Sequence, residues 1–202
     1  MEKSYLILAV LLGLYYSIHS LFLHPPVKRF FIDNLYFSLK SYRVTFNIFA
    51  TLGLIFLIYY SSTIDTQLWM DVIWLKIIGI LLSIYGLYML SRSFKGYDLK
   101  EFIGINAESD NTLQNTLVVD GLHKFVRHPI YLATLIILIG YFIYAPSMKS
   151  TIFISVTFAY LQFGILLEES KLISKFGKSY RDYKNKVPKL FPNIFKKKHS
   201  NK

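Results

Sequence analysis

Five long apolar blocks, residues 5–23, 44–60, 72–90, 130–144 and 151–167, leave this chain few ways to fold. A water-soluble domain does not string its apolar residues into runs of this length. At 1.5 Å per residue the first three blocks cross a hydrocarbon layer about 30 Å thick. The fourth and fifth are shorter and reach across with local bilayer thinning or snorkelling flanks. Between them Ala145-Pro146-Ser147-Met148-Lys149-Ser150 reads as a tight turn, which makes the last two blocks a helical hairpin. The expected fold is an all-α polytopic membrane protein of about five transmembrane helices, with an amphipathic carboxyl-terminal helix on the cytoplasmic side. The first block lacks a strongly basic leader and an Ala-x-Ala pattern, so it reads as a retained span.

The net charge of +11 is a topology signal before it is anything else. With the amino terminus outside, the inner segments are residues 24–43, 91–129 and 168–202. They hold four, five and eleven Lys/Arg, 20 of the 23 in the chain. Basic segments stay on the cytoplasmic side and are drawn to anionic lipid, so the expected orientation is amino terminus out and carboxyl terminus in. No groove-reading motif accompanies the charge, which argues against nucleic acid as a partner. The chain has no cysteine, which excludes disulfides, thiolate catalysis and Cys-ligated metals. His19, His24, His123 and His128 have no tight pairing such as His-x-x-x-His, and no metal site is expected.

The connections are unequal. Residues 61–71 form a short outer link, whereas the inner stretch 91–129 is far longer than a connection requires and carries Phe94, Tyr97, Phe102, Ile103 and Leu113. Such a segment is expected to fold back on the inner helix ends. Beyond Glu169, residues Leu172, Ile173, Phe176, Tyr180, Tyr183 and Val187 recur at spacings of three and four among Lys and Arg. That pattern predicts an amphipathic surface helix, either a membrane anchor or a lid over a site at the inner face.

Polar groups concentrate at the inner ends of the hairpin. Pro129 suits the first turn of a helix, so the fourth helix starts at His128-Pro129. Its first amides and positive dipole end attract anions, and Arg127 adds a bidentate partner for a carboxylate or phosphate. The plain alternative for Arg127 is a lipid headgroup contact. Glu168-Glu169 closes the fifth block at a helix carboxyl end, where carboxylates are disfavoured. The pair serves either in ion pairs with Arg127 or Lys171 or in accepting hydrogen bonds from ribose hydroxyls or an ammonium. His19 lies within the first span and Asp98 in the long inner stretch. Polar groups at membrane depth face the bundle interior, although a lone histidine on an apolar helix is commonly structural.

The stretch Asn115-Thr116-Leu117-Val118-Val119-Asp120-Gly121-Leu122-His123-Lys124-Phe125-Val126-Arg127-His128-Pro129-Ile130-Tyr131 resembles the cofactor-binding signature of the isoprenylcysteine carboxyl methyltransferase superfamily. Glu168-Glu169-Ser170-Lys171-Leu172, the run from Phe176-Gly177 to Asp182-Tyr183, and Val187-Pro188 are similar to that superfamily's ending. The resemblance implies a membrane enzyme that uses S-adenosylmethionine. It implies that Asn115, Thr116, Leu117, Val118, His123, His128, Pro129, Ile130 and Tyr131 line the cofactor pocket and that Glu168 binds the cofactor. At the position of His123 the family commonly has tyrosine. Members that process prenylcysteine place an arginine one turn before the acidic pair, where this chain has Gly164. The first half, through His19-Ser20, Arg43, Tyr97-Asp98-Leu99 and Ala145-Pro146-Ser147-Met148, looks similar to the methanethiol S-methyltransferase branch. That points to a small thiol or another small nucleophile.

The resulting expectation is one membrane domain over residues 1–202. It divides into three amino-terminal spans (1–90), a cofactor-binding half (91–192) and a basic tail (193–202). The partners are the lipid bilayer and a small-molecule or lipophilic methyl acceptor carrying a thiol or carboxylate, with the bacterial inner membrane as the expected location. Glu169, His19 and Asp98 are the candidates for orienting or deprotonating the acceptor, and Arg127, with the start of the fourth helix, is the candidate for holding the methionine carboxylate or shaping its pocket. Two other readings stand beside this one. Membrane sterol-type reductases share an Arg-His-Pro-x-Tyr ending and use NADPH, but have more spans and lack the acidic pair. A non-enzymatic transporter or scaffold would show neither cofactor binding nor methyl transfer.

Overall fold

The computed structural model of the chain describes residues 2–94 and 117–192, and every regular element among them is helical. The first half contains α1 (Glu2–Phe22), α2 (Pro25–Asn34), α3 (Leu39–Thr63) and α4 (Ile73–Ser93). A 3-10 turn (Gly121–Lys124), α5 (Pro129–Tyr144), α6 (Met148–Phe176) and α7 (Lys178–Lys186) follow. Helices α1, α3, α4 and α6 are long and apolar enough to cross a membrane. Helix α5 is apolar but has 16 residues, about 24 Å of rise.

The sequence reading needs two corrections. The fifth block is not a short helix: α6 begins at Met148, where Ser147 and Ser150 form a capping box, and continues for 29 residues. Apolar character stops at Leu167, but Glu, Lys and Leu beyond it are good helix formers and the hydrogen-bond ladder runs on. The amphipathic stretch is therefore not one separate helix. Its first part is the end of α6, and Gly177, at φ +53°, turns the chain before α7 resumes. Within the inner segment 24–43, Pro25-Pro26 in the first turn starts α2. The long inner stretch expected to fold back lies largely outside the described residues.

The spanning helices pack in the order α4, α5, α6, α1, α3, with α2 touching α1 and α3. Contact between α4 and α5 is closest because glycines meet there. A Cβ at Gly79 would lie 2.6 Å from the Gly140 carbonyl oxygen, and one at Gly86 would lie 2.7 Å from the Ile137 side chain. Small residues let helix backbones approach this closely in membranes. Around one end of the bundle Trp69 N donates to the Pro146 carbonyl (2.8 Å) and Lys149 Nζ to the Ser61 carbonyl (2.9 Å). At the other end the Tyr42 hydroxyl donates to the Phe22 carbonyl (2.5 Å), and Arg127 meets Glu169. The outward faces of α3 and α4 expose Phe56, Trp74, Leu81 and Ile84, as lipid contact requires.

Candidate functional site

Pro129 occupies the first turn of α5 and His128 precedes it, the helix start expected from sequence. Upstream, the 3-10 turn presents a buried His123 whose backbone carbonyl accepts from the Tyr183 hydroxyl of α7 (2.7 Å). Downstream, α6 brings Glu168 and Glu169 to the same place. Packing of α5 on α6 through Leu132, Leu135, Leu161 and Ile165 fixes this meeting.

The two glutamates have different surroundings. Glu169 is 6% exposed, and Arg127 approaches its Oε1 from Nε (2.8 Å) and Nη2 (2.7 Å). Lys184 Nζ reaches Oε2 at 2.7 Å, and His128 Nε2 lies 3.2 Å from Oε1. Arg127 also donates from Nη1 to the carbonyls of Lys184 (2.9 Å) and Val187 (2.6 Å). Its own backbone N–H donates to Pro188 O, and that of His128 to Lys189 O. Arg127 thus ties α6 to the strap that follows α7, the ion-pair alternative read from the sequence. Glu168 is 45% exposed, with His128 Nδ1 3.4 Å from its Oε2 and a hydrogen bond from Tyr131. The His128 ring stands between the two carboxylates and stacks on Tyr131 at 5.4 Å.

Burial lowers the pKa of His123 from its ordinary 6.5; a backbone hydrogen bond to Asp120 and the charge of Glu168 offset part of this. Burial foremost, and then the Glu169 charge, raise that of the Tyr180 hydroxyl. Tyr180 is 1% exposed, and its hydroxyl has no hydrogen-bond partner among the described residues.

The expected site residues are therefore partly gathered. His123, Arg127, His128, Pro129, Tyr131, Glu168 and Glu169 come together at one end of the bundle, with Ile130 in the first turn of α5. Leu117 and Val118 are half-buried in the segment leading to the 3-10 turn. Asp98, Asn115 and Thr116 lie outside the described residues. His19 is elsewhere in its contacts, with ring neighbours Tyr15 (6.0 Å) and Phe46 (5.0 Å). Lys184, Tyr183 and the carbonyls of the strap were not foreseen, because nothing in a basic helix marks which lysine turns inward. A hydrogen-bonded set on α1 and α6 was also missed. Tyr16 Oη meets Thr157 Oγ1 at 2.6 Å, Ser20 Oγ donates to Tyr160 Oη (3.0 Å), and Tyr16 stacks on Tyr160 at 4.2 Å. Its signal is polar residues at helical spacing inside apolar blocks.

Comparison with known proteins gives this geometry a context. The family model described as Phospholipid methyltransferase matches residues 73–179. The chain is 27% identical to methanethiol S-methyltransferase 2 of Bradyrhizobium diazoefficiens, over 98% of this chain and 77% of that one. It is 28% identical to methanethiol S-methyltransferase 1 of the same organism, over 94% and 67%. Similarity to the protein-S-isoprenylcysteine O-methyltransferase of Schizosaccharomyces pombe is 36% but covers 43% of this chain and 37% of the relative. No solved structure matches the chain.

Proposed function

Because the chain belongs to the phospholipid methyltransferase family, we propose that it transfers a methyl group from S-adenosylmethionine, taken up at the inner membrane face, to a small thiol. It is an integral-membrane methyltransferase with an all-helical fold. The observation that carries the cofactor assignment is the convergence of the α5 start with a half-exposed Glu168, joined through His128. This set fits the donor's own groups. The first-turn amides and dipole of α5 suit a carboxylate, and Glu168 suits an ammonium or ribose hydroxyls.

When bound, S-adenosylmethionine supplies a methyl group already activated by its sulfonium. The protein then has mainly to position the partners and exclude water, and positioning alone contributes on the order of 7–11 kcal/mol. In this reading Glu168, Tyr131, His128, Pro129 and Ile130 form the described part of the cofactor pocket. His123, Leu117 and Val118 stand beside it; Asn115 and Thr116, which the family resemblance also implies, lie outside the described residues. Arg127 and Glu169, engaged with each other and with the strap, take a positioning role. His19 and Asp98 are candidates for orienting the acceptor. The thiol assignment rests on the two methanethiol relatives, whose similarity extends over nearly the whole chain. The basic inner segments favour an amino terminus outside, and the membrane of this proposal is a bacterial inner membrane.

The test is calorimetric titration of S-adenosylhomocysteine into detergent-purified protein. A charge-assisted hydrogen bond contributes about 1.5–3 kcal/mol, so Glu168→Ala should weaken binding about ten- to a hundredfold. Unchanged affinity removes Glu168 from the pocket. Thermal stabilisation by NADPH, with none from S-adenosylmethionine or S-adenosylhomocysteine, would replace the methyltransferase reading with the reductase one.

A further inference from the structure

Helix α7 meets the site from a turn made by one residue. Gly177, at φ +53°, is both the cap that ends α6 and the residue before α7. That backbone conformation favours glycine, and an added Cβ there would meet nothing within 4 Å. The turn is therefore a pivot that no side-chain packing fixes. At the far end of the strap Leu190, 4% exposed, is fastened in the apolar cluster shared by α4, α5 and α6. Between these two points the bonds to the site are polar. Tyr183 donates to the His123 carbonyl, and Lys184 reaches Glu169. Arg127 and His128 donate to the carbonyls of Lys184, Val187, Pro188 and Lys189. Water can replace each of these partners, as it cannot replace the packing at Leu190.

Tyr180, on α7, works against this closed arrangement. The residue is 1% exposed, yet its hydroxyl has no hydrogen-bond partner among the described residues. Neighbouring polar groups are already engaged with one another: Arg127 with Glu169 and two carbonyls, Glu169 with Arg127, Lys184 and His128. A buried hydroxyl without a partner forfeits its hydration, and lifting α7 would return it to water. Closure is thus opposed from within by one oxygen atom.

Resting on the S-adenosylmethionine reading above, we propose that residues 178–189 are a flap that lifts about Gly177 to exchange methyl donor and product, and that the unpaired Tyr180 hydroxyl sets how readily it opens. The flap touches His123, Glu169 and the residues that begin α5. These stand in or beside the walls of the proposed cofactor pocket, so lifting the flap loosens the pocket. A ligand seated there favours the closed position by its preference for intact walls.

Hydrogen exchange read by mass spectrometry on full-length protein in detergent tests the flap. In the parent, the amides of residues 178–187 should exchange together, and faster than those of residues 161–165 in α6. S-adenosylhomocysteine at about a hundred times its Kd should slow them at least about tenfold. Tyr180→Phe keeps the ring and removes the unpaired hydroxyl. It should slow both this exchange and the release of tritiated S-adenosylhomocysteine by about tenfold. Gly177→Ala strains the turn in its closed form and should speed both. Exchange in 178–187 that does not respond to bound S-adenosylhomocysteine would overturn the flap while leaving cofactor binding intact. So would parental or faster exchange and release in Tyr180→Phe, or parental or slower exchange and release in Gly177→Ala. If the parent protein binds no S-adenosylhomocysteine, the cofactor reading falls and the flap with it.

Discussion

Arg127 and Glu168 separate two roles that adjacent motifs make easy to merge. Arg127 is 8% exposed and directs its donors at Glu169 and at two carbonyls beyond it. Removing one partner of a buried pair costs about 3–5 kcal/mol, so Arg127→Ala should lower the unfolding midpoint strongly, and Arg127→Lys should recover part because a single ammonium cannot reproduce the fork. A thermal unfolding series in detergent checks this. At temperatures where Arg127→Lys is folded, its KM for the methyl donor should still exceed the parent's, which a purely structural bond would not produce. Glu168→Ala, half-exposed at the outset, should lose affinity with little loss of stability. His123 adds a pH dependence with a defined sign. Its folded-state pKa lies below 6.5, chiefly through burial, so the unfolded chain binds the proton more readily. Stability should therefore fall as pH drops below 6.5, levelling off below the folded-state pKa, and His123→Gln should flatten that slope.

Gly79 and Gly140 let α4 and α5 touch backbone to backbone, and α5, at 16 residues, depends on that contact. Its sixteen residues fall short of a bilayer's apolar thickness by themselves, and α4 alongside supplies a full-length partner. An added methyl has nowhere to go there, and overpacking costs typically about 1–3 kcal/mol, so Gly79→Ala should destabilise by that amount. Gly164→Ala, with its ordinary 3.6 Å contact, should leave unfolding near the parent's. Chemical denaturation in mixed micelles compares the two directly. Their contrast also marks what the chain discloses by itself. The start of α5 was legible because His128-Pro129 carries a local signal, and the apolar blocks located each spanning helix for the same reason. The full length of α6 was not, since hydropathy stops at Leu167 while helix geometry continues to Phe176. The glycine contacts and the hydrogen-bonded set Tyr16, Thr157, Ser20 and Tyr160 join residues about 140 apart in one case and 61 apart in the other, distances at which a single sequence carries no pairing signal. The partition of the glutamates was half legible: the ion-pair and ligand options were both present, and the packing of α5 on α6 gave the ion pair with Arg127 to Glu169.

The distribution of basic residues along the chain bears on which end of the bundle faces the cytoplasm. The contacts Trp69–Pro146 and Lys149–Ser61 gather one set of connections, and Arg127, Glu169 and Lys184 gather the other, so successive spans alternate in direction. Basic segments are retained inside, and 20 of the 23 Lys/Arg belong to the sequence segments 24–43, 91–129 and 168–202. A pocket built from Glu168 and the α5 start would then open to the compartment that supplies the methyl donor. The opposite orientation would set eleven basic residues of the carboxyl-terminal segment against the direction of retention. The absence of cysteine makes the orientation directly measurable. Gln67→Cys, between α3 and α4, should be labelled by a membrane-impermeant maleimide on intact cells. Lys186→Cys, at the end of α7, should react after the cells are opened and not before. Labelling of Lys186→Cys from outside would invert the topology, moving the Glu168 pocket away from the cytoplasm and with it the route by which the donor reaches the enzyme.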